Sequence, residues 1–156
     1  LQNIRQDLTL LASVEGQLSN KNLDSSEQLQ MGGVYGVRAY PVGEASADEG
    51  AKLAIELRYI AKKATIIGDI QTTLFYDRAH LKQFNDDQGL GLTTPNRFHI
   101  SGWGLGLQAT RPGKSDISLT WARKIGNNPL RDQATGNDAD GKNDKSRLWL
   151  TASLYF

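Results

Sequence analysis

The sequence predicts an all-β protein, a transmembrane antiparallel β-barrel, on three observations. Segments along the chain alternate at period two with one apolar face. Short and long connections between them alternate as well. The last ten residues divide cleanly, with Leu148, Leu150, Ala152, Leu154 and Phe156 on one face and Arg147, Trp149, Thr151, Ser153 and Tyr155 on the other. A strand that is apolar on one side, mostly polar on the other and closed by a terminal phenylalanine fits the last strand of an outer-membrane barrel. In a soluble sandwich the same strand would put Leu and Ala into a core, so a soluble or surface-binding β-domain stays open as the alternative reading of this pattern.

Taken in order, six segments carry the pattern. Leu8, Leu10, Ala12 and Val14 alternate with Thr9, Leu11, Ser13 and Glu15. Leu53, Ile55, Leu57 and Tyr59 alternate with Lys52, Ala54, Glu56 and Arg58. Ile70, Thr72, Leu74 and Tyr76 oppose Gln71, Thr73, Phe75 and Asp77. Trp103, Leu105, Leu107 and Ala109 oppose Gly102, Gly104, Gly106 and Gln108, and Ile117, Leu119 and Trp121 oppose Ser118, Thr120 and Ala122. The terminal decamer is the sixth. Turns are expected near Lys62–Thr65 and Arg111–Lys114, whereas the connections at 20–50, 82–98 and 126–145 are long, polar and rich in Gly, Asn and Asp. Three such loops are unusual in a compact soluble domain and match the turn-and-loop asymmetry of an outer-membrane barrel. Tyr59, Tyr76, Trp103, Trp121 and Phe156 fall on the apolar register, where interfacial girdles form.

Composition is compatible with this reading and excludes several others. Hydrophobic residues make up 38% of the chain and no apolar run exceeds a few residues, far short of the ~20 a helical span needs. A barrel escapes that test, because only every other residue faces lipid. The net charge of +1, with scattered Lys and Arg, gives no nucleic-acid footprint. The absence of cysteine removes disulfides, thiolate chemistry and most zinc sites. The chain is one partial domain, 1–156, opening at Leu1 without an initiator methionine or signal pattern, and is expected to be a piece of something longer. Six strands cannot close a lipid-spanning barrel, since single chains start at about eight, and open edges are not tolerated in hydrocarbon.

Between the first two segments lies Gly32-Gly33-Val34-Tyr35-Gly36-Val37-Arg38-Ala39-Tyr40-Pro41-Val42-Gly43-Glu44-Ala45-Ser46-Ala47-Asp48-Glu49-Gly50. Together with Leu53–Tyr59 this run closely resembles the outer-membrane translocators of two-partner secretion, the hemolysin/hemagglutinin activation-and-secretion proteins, relatives of the outer-membrane insertases. The resemblance extends from about Leu8 to Phe156. It implies two periplasmic domains followed by a sixteen-stranded barrel, of which this chain would hold the last six strands. It implies a loop folded back into the lumen, with Val37, Arg38, Ala39, Tyr40, Pro41 and Glu44 as its motif, and an arginine-to-aspartate pair between loop and wall. It further implies a secreted exoprotein partner, the lipid bilayer and bacterial outer membrane as setting, and Leu154, Tyr155 and Phe156 as the signal read by the barrel-assembly machinery. An insertase of the same superfamily is the runner-up within transport.

The residues add to that picture. Asp77 shares a face with Gln71, Thr73 and Phe75, and a carboxylate on a pore wall needs a partner; Arg38 is the candidate, since guanidinium binds carboxylate bidentately. Glycine weakens a strand unless another backbone approaches closely, so a loop seated against Gly102, Gly104 and Gly106 would account for all three. Two departures stand out: Ala39 where the superfamily's loop often has Gly, and Asp77-Arg78-Ala79 where Asp-x-Gly is expected.

No enzyme signature appears. His80 and His99 are isolated, there is no Gly-x-Ser-x-Gly elbow or phosphate-binding loop, and no cofactor is implied. Gly102-x-Gly104-x-Gly106 has no following helix. In the tract 136–144, setting Gly141 as the sixth position of a calcium loop places Gly136 first and Arg147 twelfth, where carboxylates are required. A mobile surface loop is the expectation there, with no metal.

Overall fold

The computed structural model describes residues 2–65 and 68–156, with side chains at all of these except 62–65. The described residues form strands, turns and loops and contain no helix. β1 (Gln2–Asn3) and β2 (Leu8–Gln17) are followed by a long connection that carries β3 (Leu29–Gln30) and β4 (Ser46–Ala47). Then come β5 (Glu49–Thr65), β6 (Gly68–Lys82), β7 (Arg97–Arg111), β8 (Ser115–Lys124) and β9 (Ser146–Leu154). One open antiparallel sheet runs β1-β2-β5-β6-β7-β8-β9, while β3 and β4 form a separate ribbon. The six alternating segments are thus the six long strands, and two-residue β1 adds one further edge.

The strands outrun the sequence pattern. β5 spans 17 residues and β6 and β7 span 15 each, against the ~9–11 that cross a bilayer. The turn expected near Lys62–Thr65 is instead strand through Thr65, which pairs with Gly68; the connection itself, residues 66 and 67, lies outside the described residues. The pairing reaches that point through a register irregularity between Ala61 and Thr65. The expected short turn between β7 and β8 is present, closed by Lys114 N–H donating to the Arg111 carbonyl at 2.9 Å.

Register lines the apolar side chains up across the sheet. Leu10, Leu57, Leu74, Leu105, Trp121 and Leu148 form one row, and Leu8, Tyr59, Thr72, Leu107, Leu119 and Leu150 the next. Period-two geometry puts all of them on one face. That face is exposed: Leu105 at 53% and Leu150 at 72% are far from core values. Tyr76 lies opposite Trp103, whose ring meets Trp121 edge-on at 5.3 Å, so part of the expected aromatic row is contiguous. Tyr59 sits within the belt opposite Leu8 and Thr72, and Phe156 lies past the end of β9.

The buried core is on the opposite, nominally polar face. Met31, Val37, Ala39, Tyr40, Ala45 and Ala47 from the β2–β5 connection pack against Phe75, Ala79, Leu81, Phe98, Ile100 and Ala122 from the sheet. Each large side chain so buried contributes roughly 1.5–3 kcal/mol, enough in sum to hold a long irregular segment on the sheet. The alternation therefore inverts along β6. Leu74 and Tyr76 face out and Phe75 and Asp77 in; beyond that point Arg78 and His80 face out while Ala79 and Leu81 face in. β7 does the same between Phe98 and Leu105.

Candidate functional site

The site is where the β2–β5 connection meets the polar face of β5, β6 and β7. Local backbone bonds fold the segment into a compact knot: Val37 N–H donates to the Met31 carbonyl at 2.7 Å, and Gly33 N–H to Tyr40 at 2.9 Å. Glycine is required at position 32, where a Cβ would lie 2.1 Å from the Pro41 carbonyl oxygen. Pro41 is itself buried, as are Val37, Ala39 and Tyr40, all at 0%.

Arg38 and Asp77 come together at the centre. The guanidinium donates from Nε to Oδ2 at 2.8 Å and from Nη2 to Oδ1 at 2.7 Å, and the Arg38 backbone N–H adds a third bond to Oδ2 at 3.1 Å. Nη1 reaches Glu56 Oε1 at 2.8 Å, and the cation lies 3.5 Å over the Phe75 ring. The Arg38 carbonyl accepts from Trp149 Nε1 at 2.8 Å. Burial alone would lower the guanidinium's pKa; the bonds and charge of Asp77, with those of Glu56, outweigh it and raise it. Both carboxylate oxygens of Asp77 are occupied by the guanidinium fork.

Of the three wall glycines, only Gly102 meets the loop. A Cβ there would lie 2.5 Å from Ala39 Cβ. This also explains why alanine is the largest residue that fits at 39. At Gly104 a Cβ would strike the Phe75 ring at 2.5 Å and the Trp121 carbonyl at 2.1 Å, so its absence makes room for the ring beneath Arg38. At Gly106 the nearest atom would be Thr73 Cβ at 3.5 Å, an ordinary contact. The expectation that the loop accounts for all three is corrected on that point: Gly106 instead borders a polar cavity of about 180 Å³ shared with Arg38, Glu56, Arg58, Gln71 and Ser118.

A second set of contacts holds the same loop from the other side. Glu44 accepts from Asn128 Nδ2 through one oxygen and from the Ala139 N–H at 2.6 Å through the other. Asn128 also donates to Asp138 at 3.0 Å, and Asp138 is paired with Lys124 and with Arg147 at 2.8 Å. Lys124 Nζ lies 5.1 Å from the Tyr40 ring centre. The tract expected to be a mobile surface loop thus has a buried carboxylate at its centre, because two β-strand cations, Lys124 and Arg147, face inward and need it. Burial alone would raise Asp138's pKa, but the Lys124 and Asn128 bonds and the flanking cations hold it below the usual carboxylate range. Burial pushes the Tyr40 phenol up to about 12 against a weaker opposing pull from the Ser101 backbone, so the ring packs as a neutral group.

Reasoning from sequence missed Glu56, Phe75 and Trp149 as partners of Arg38. Glu56 carried the usable signal: it is a carboxylate on the polar face, paired with Arg58 at 2.5 Å and near enough to a second cation. Asn128 and Asp138 carried none, since their roles depend on how the loop folds back. Leu154 pairs with Ser115 at the end of β9, and Tyr155 and Phe156 follow it, all three exposed.

A family model described as haemolysin secretion/activation protein ShlB/FhaC/HecB matches residues 1–109. The heme/hemopexin transporter protein HuxB of Haemophilus influenzae strain 86-028NP is 28% identical over 141 residues, which is 88% of this chain and 22% of that protein. The protein of the same name from strain Rd gives the same figures. The chain therefore spans less than a quarter of the length of these curated relatives. No solved structure matches it.

Proposed function

This chain belongs to the haemolysin secretion/activation protein family, the outer-membrane translocators of two-partner secretion, and from that premise we propose that it is the C-terminal part of a sixteen-stranded barrel. The whole protein passes an unfolded partner exoprotein, of haemolysin, adhesin or contact-dependent toxin type, from periplasm to cell surface. The apolar face of the sheet meets lipid and the polar face lines the pore. The β2–β5 connection lies in the lumen, held by Arg38 on Asp77, and Tyr40, Pro41 and Glu44 shape its seat. Leu154, Tyr155 and Phe156 serve as the signal for the barrel-assembly machinery.

One observation carries this reading: a long connection is buried against the polar face of a sheet whose other face is apolar and exposed. A water-soluble sandwich would bury the apolar face instead. Irregular backbone at membrane depth is tolerated only where protein or a water-filled cavity surrounds it, and the polar side of the sheet provides such a place. The family match supports secretion over the insertase alternative.

The test uses the full-length protein in outer-membrane vesicles, with cysteines at positions 38 and 77 and heat-modifiability as the folding control. Oxidation should cross-link the pair and stop export of the partner, and reduction should return it only to the lower level expected once the Arg38–Asp77 pair is absent. Export that continues with the loop cross-linked would remove the loop from the transport path.

A further inference from the structure

We propose that the outward face of β6, β7 and β8 just beyond the apolar belt binds the phosphate groups of lipid headgroups in the leaflet on the long-loop side. Arg78, Arg97 and Arg123 are its principal cations, with His80, Lys82 and His99 between them. The inference rests on the barrel reading above, which sets the apolar face against lipid.

Three observations carry it. The first is position. Arg78 follows Tyr76 by two residues on the same face, about 7 Å along the strand, and Arg123 lies directly opposite Trp103. Both stand at the aromatic row where the alternation inverts, the depth at which a bilayer changes from hydrocarbon to headgroups. The second is charge pattern. Lys82 lies opposite Arg97 and His80 opposite His99, with the imidazole centres 5.6 Å apart. Lys82 and Arg97, like charges directly opposite in a sheet, repel each other unless an anion lies between them. The acidic group on this face is Glu49, which accepts from Asn85 at 2.5 Å and pairs with Lys82 at 3.4 Å; among the described residues Arg78, Arg97 and Arg123 take part in no ion pair. The third is room, a groove of about 430 Å³ lined by His80, Lys82, Arg97 and His99 together with Leu18, Phe98 and the carboxylate Glu49, which is already engaged by Lys82.

Arginine is suited to this task because its fork matches phosphate oxygens bidentately and remains charged at the interface. The same cations on the inner face are all engaged: Arg38, Arg58, Lys124 and Arg147 each have a carboxylate partner. Among the described residues five arginines lack an ion pair: Arg5 and Arg111 at the short-turn end, and Arg78, Arg97 and Arg123, which gather at the face and depth where lipid phosphate would lie.

The experiment titrates the full-length detergent-purified protein with phosphorylated lipid A and with the same glycolipid after dephosphorylation, counting bound lipid by native mass spectrometry. The triple variant R78Q/R97Q/R123Q should lose about a hundredfold in affinity for the phosphorylated form, while R78K/R97K/R123K, which keeps the charge but not the fork, should fall between it and wild type. A heat-modifiable triple variant with unchanged lipid affinity would overturn the proposal, as would equal binding of the dephosphorylated glycolipid. Displacement of the lipid by inorganic phosphate would show an ion site rather than a lipid site and would overturn it too. A wild-type protein that is not a heat-modifiable barrel would instead remove the barrel reading, an outcome the other results cannot mimic.

Discussion

Glu44 and Asn128, 84 residues apart in sequence, meet in a buried hydrogen bond that joins the β2–β5 connection to the β8–β9 connection. The Ala139 N–H closes on the same carboxylate. The loop seated on the sheet is thereby held twice, below by the wall carboxylate Asp77 and beside by a second loop that folds over it. The two attachments share no side chain, so they can be broken separately.

Replacing Glu44 with Ala should free the second attachment and leave the first. It removes one of the two acceptors of the buried Asn128 amide, at a cost of roughly 1–3 kcal/mol if no water enters, while Asp138 still accepts from that amide and the N–H of exposed Ala139 turns to solvent. Amide hydrogen exchange across 128–142 should accelerate, while exchange at Arg38, whose N–H is bound by Asp77, should not. Faster exchange at both places would mean that the loop leaves as one unit.

Asp77→Ala removes two side-chain bonds and one backbone bond from Arg38. Glu56 and the Phe75 ring remain, so the loss should be about 2–4 kcal/mol in loop seating, below the full cost of an unpaired buried charge. Protease should then cut between Tyr35 and Val42 in the folded barrel, and export of the partner should fall. Resistance equal to wild type would show that Glu56 alone suffices.

Much of the sheet was legible because outward-facing Leu, Ile and Trp recur at period two from Leu8 to Leu154. The upper halves of β6 and β7 were not. There Ala79, Leu81, Phe98 and Ile100 turn inward under the loop and Arg78, His80 and His99 turn outward, so the pattern changes phase and reads as polar loop. Asp77 could be identified as a wall carboxylate from parity alone. The Glu44–Asn128–Asp138 set could not, because no local spacing relates residues on two separate loops.

The second attachment should be insensitive to pH across the neutral range. Asp138's pKa is depressed in the folded state by Lys124, Asn128 and Arg147, so its contribution is fully present above the unfolded value of about 3.9 and is lost as pH falls through the lower folded value. Exchange rates in 128–142, corrected for intrinsic chemistry, should be flat from pH 8 to about 5 and rise only in stronger acid. Loosening between pH 5 and 7 would point to a histidine rather than to this carboxylate.

Steric fit between loop and wall gives the sharpest separation. Gly102→Ala puts a methyl group 2.5 Å from Ala39 Cβ, and with the Arg123 carbonyl 3.0 Å away on the other side it has no free direction to move. The loop must lift, at a cost of about 1–3 kcal/mol for an overpacked contact, and protease sensitivity should rise as it does for Asp77→Ala. Ala39→Gly in the same chain removes the opposing methyl and should recover at least half of the loss, a coupling typical of residues in direct contact. Gly106→Ala is the internal control: its nearest neighbour would be at 3.5 Å, so loop seating should be unchanged. If Gly102→Ala and Gly106→Ala behave alike, or if Ala39→Gly fails to rescue, the effect belongs to the flexibility of β7 rather than to the approach of the loop.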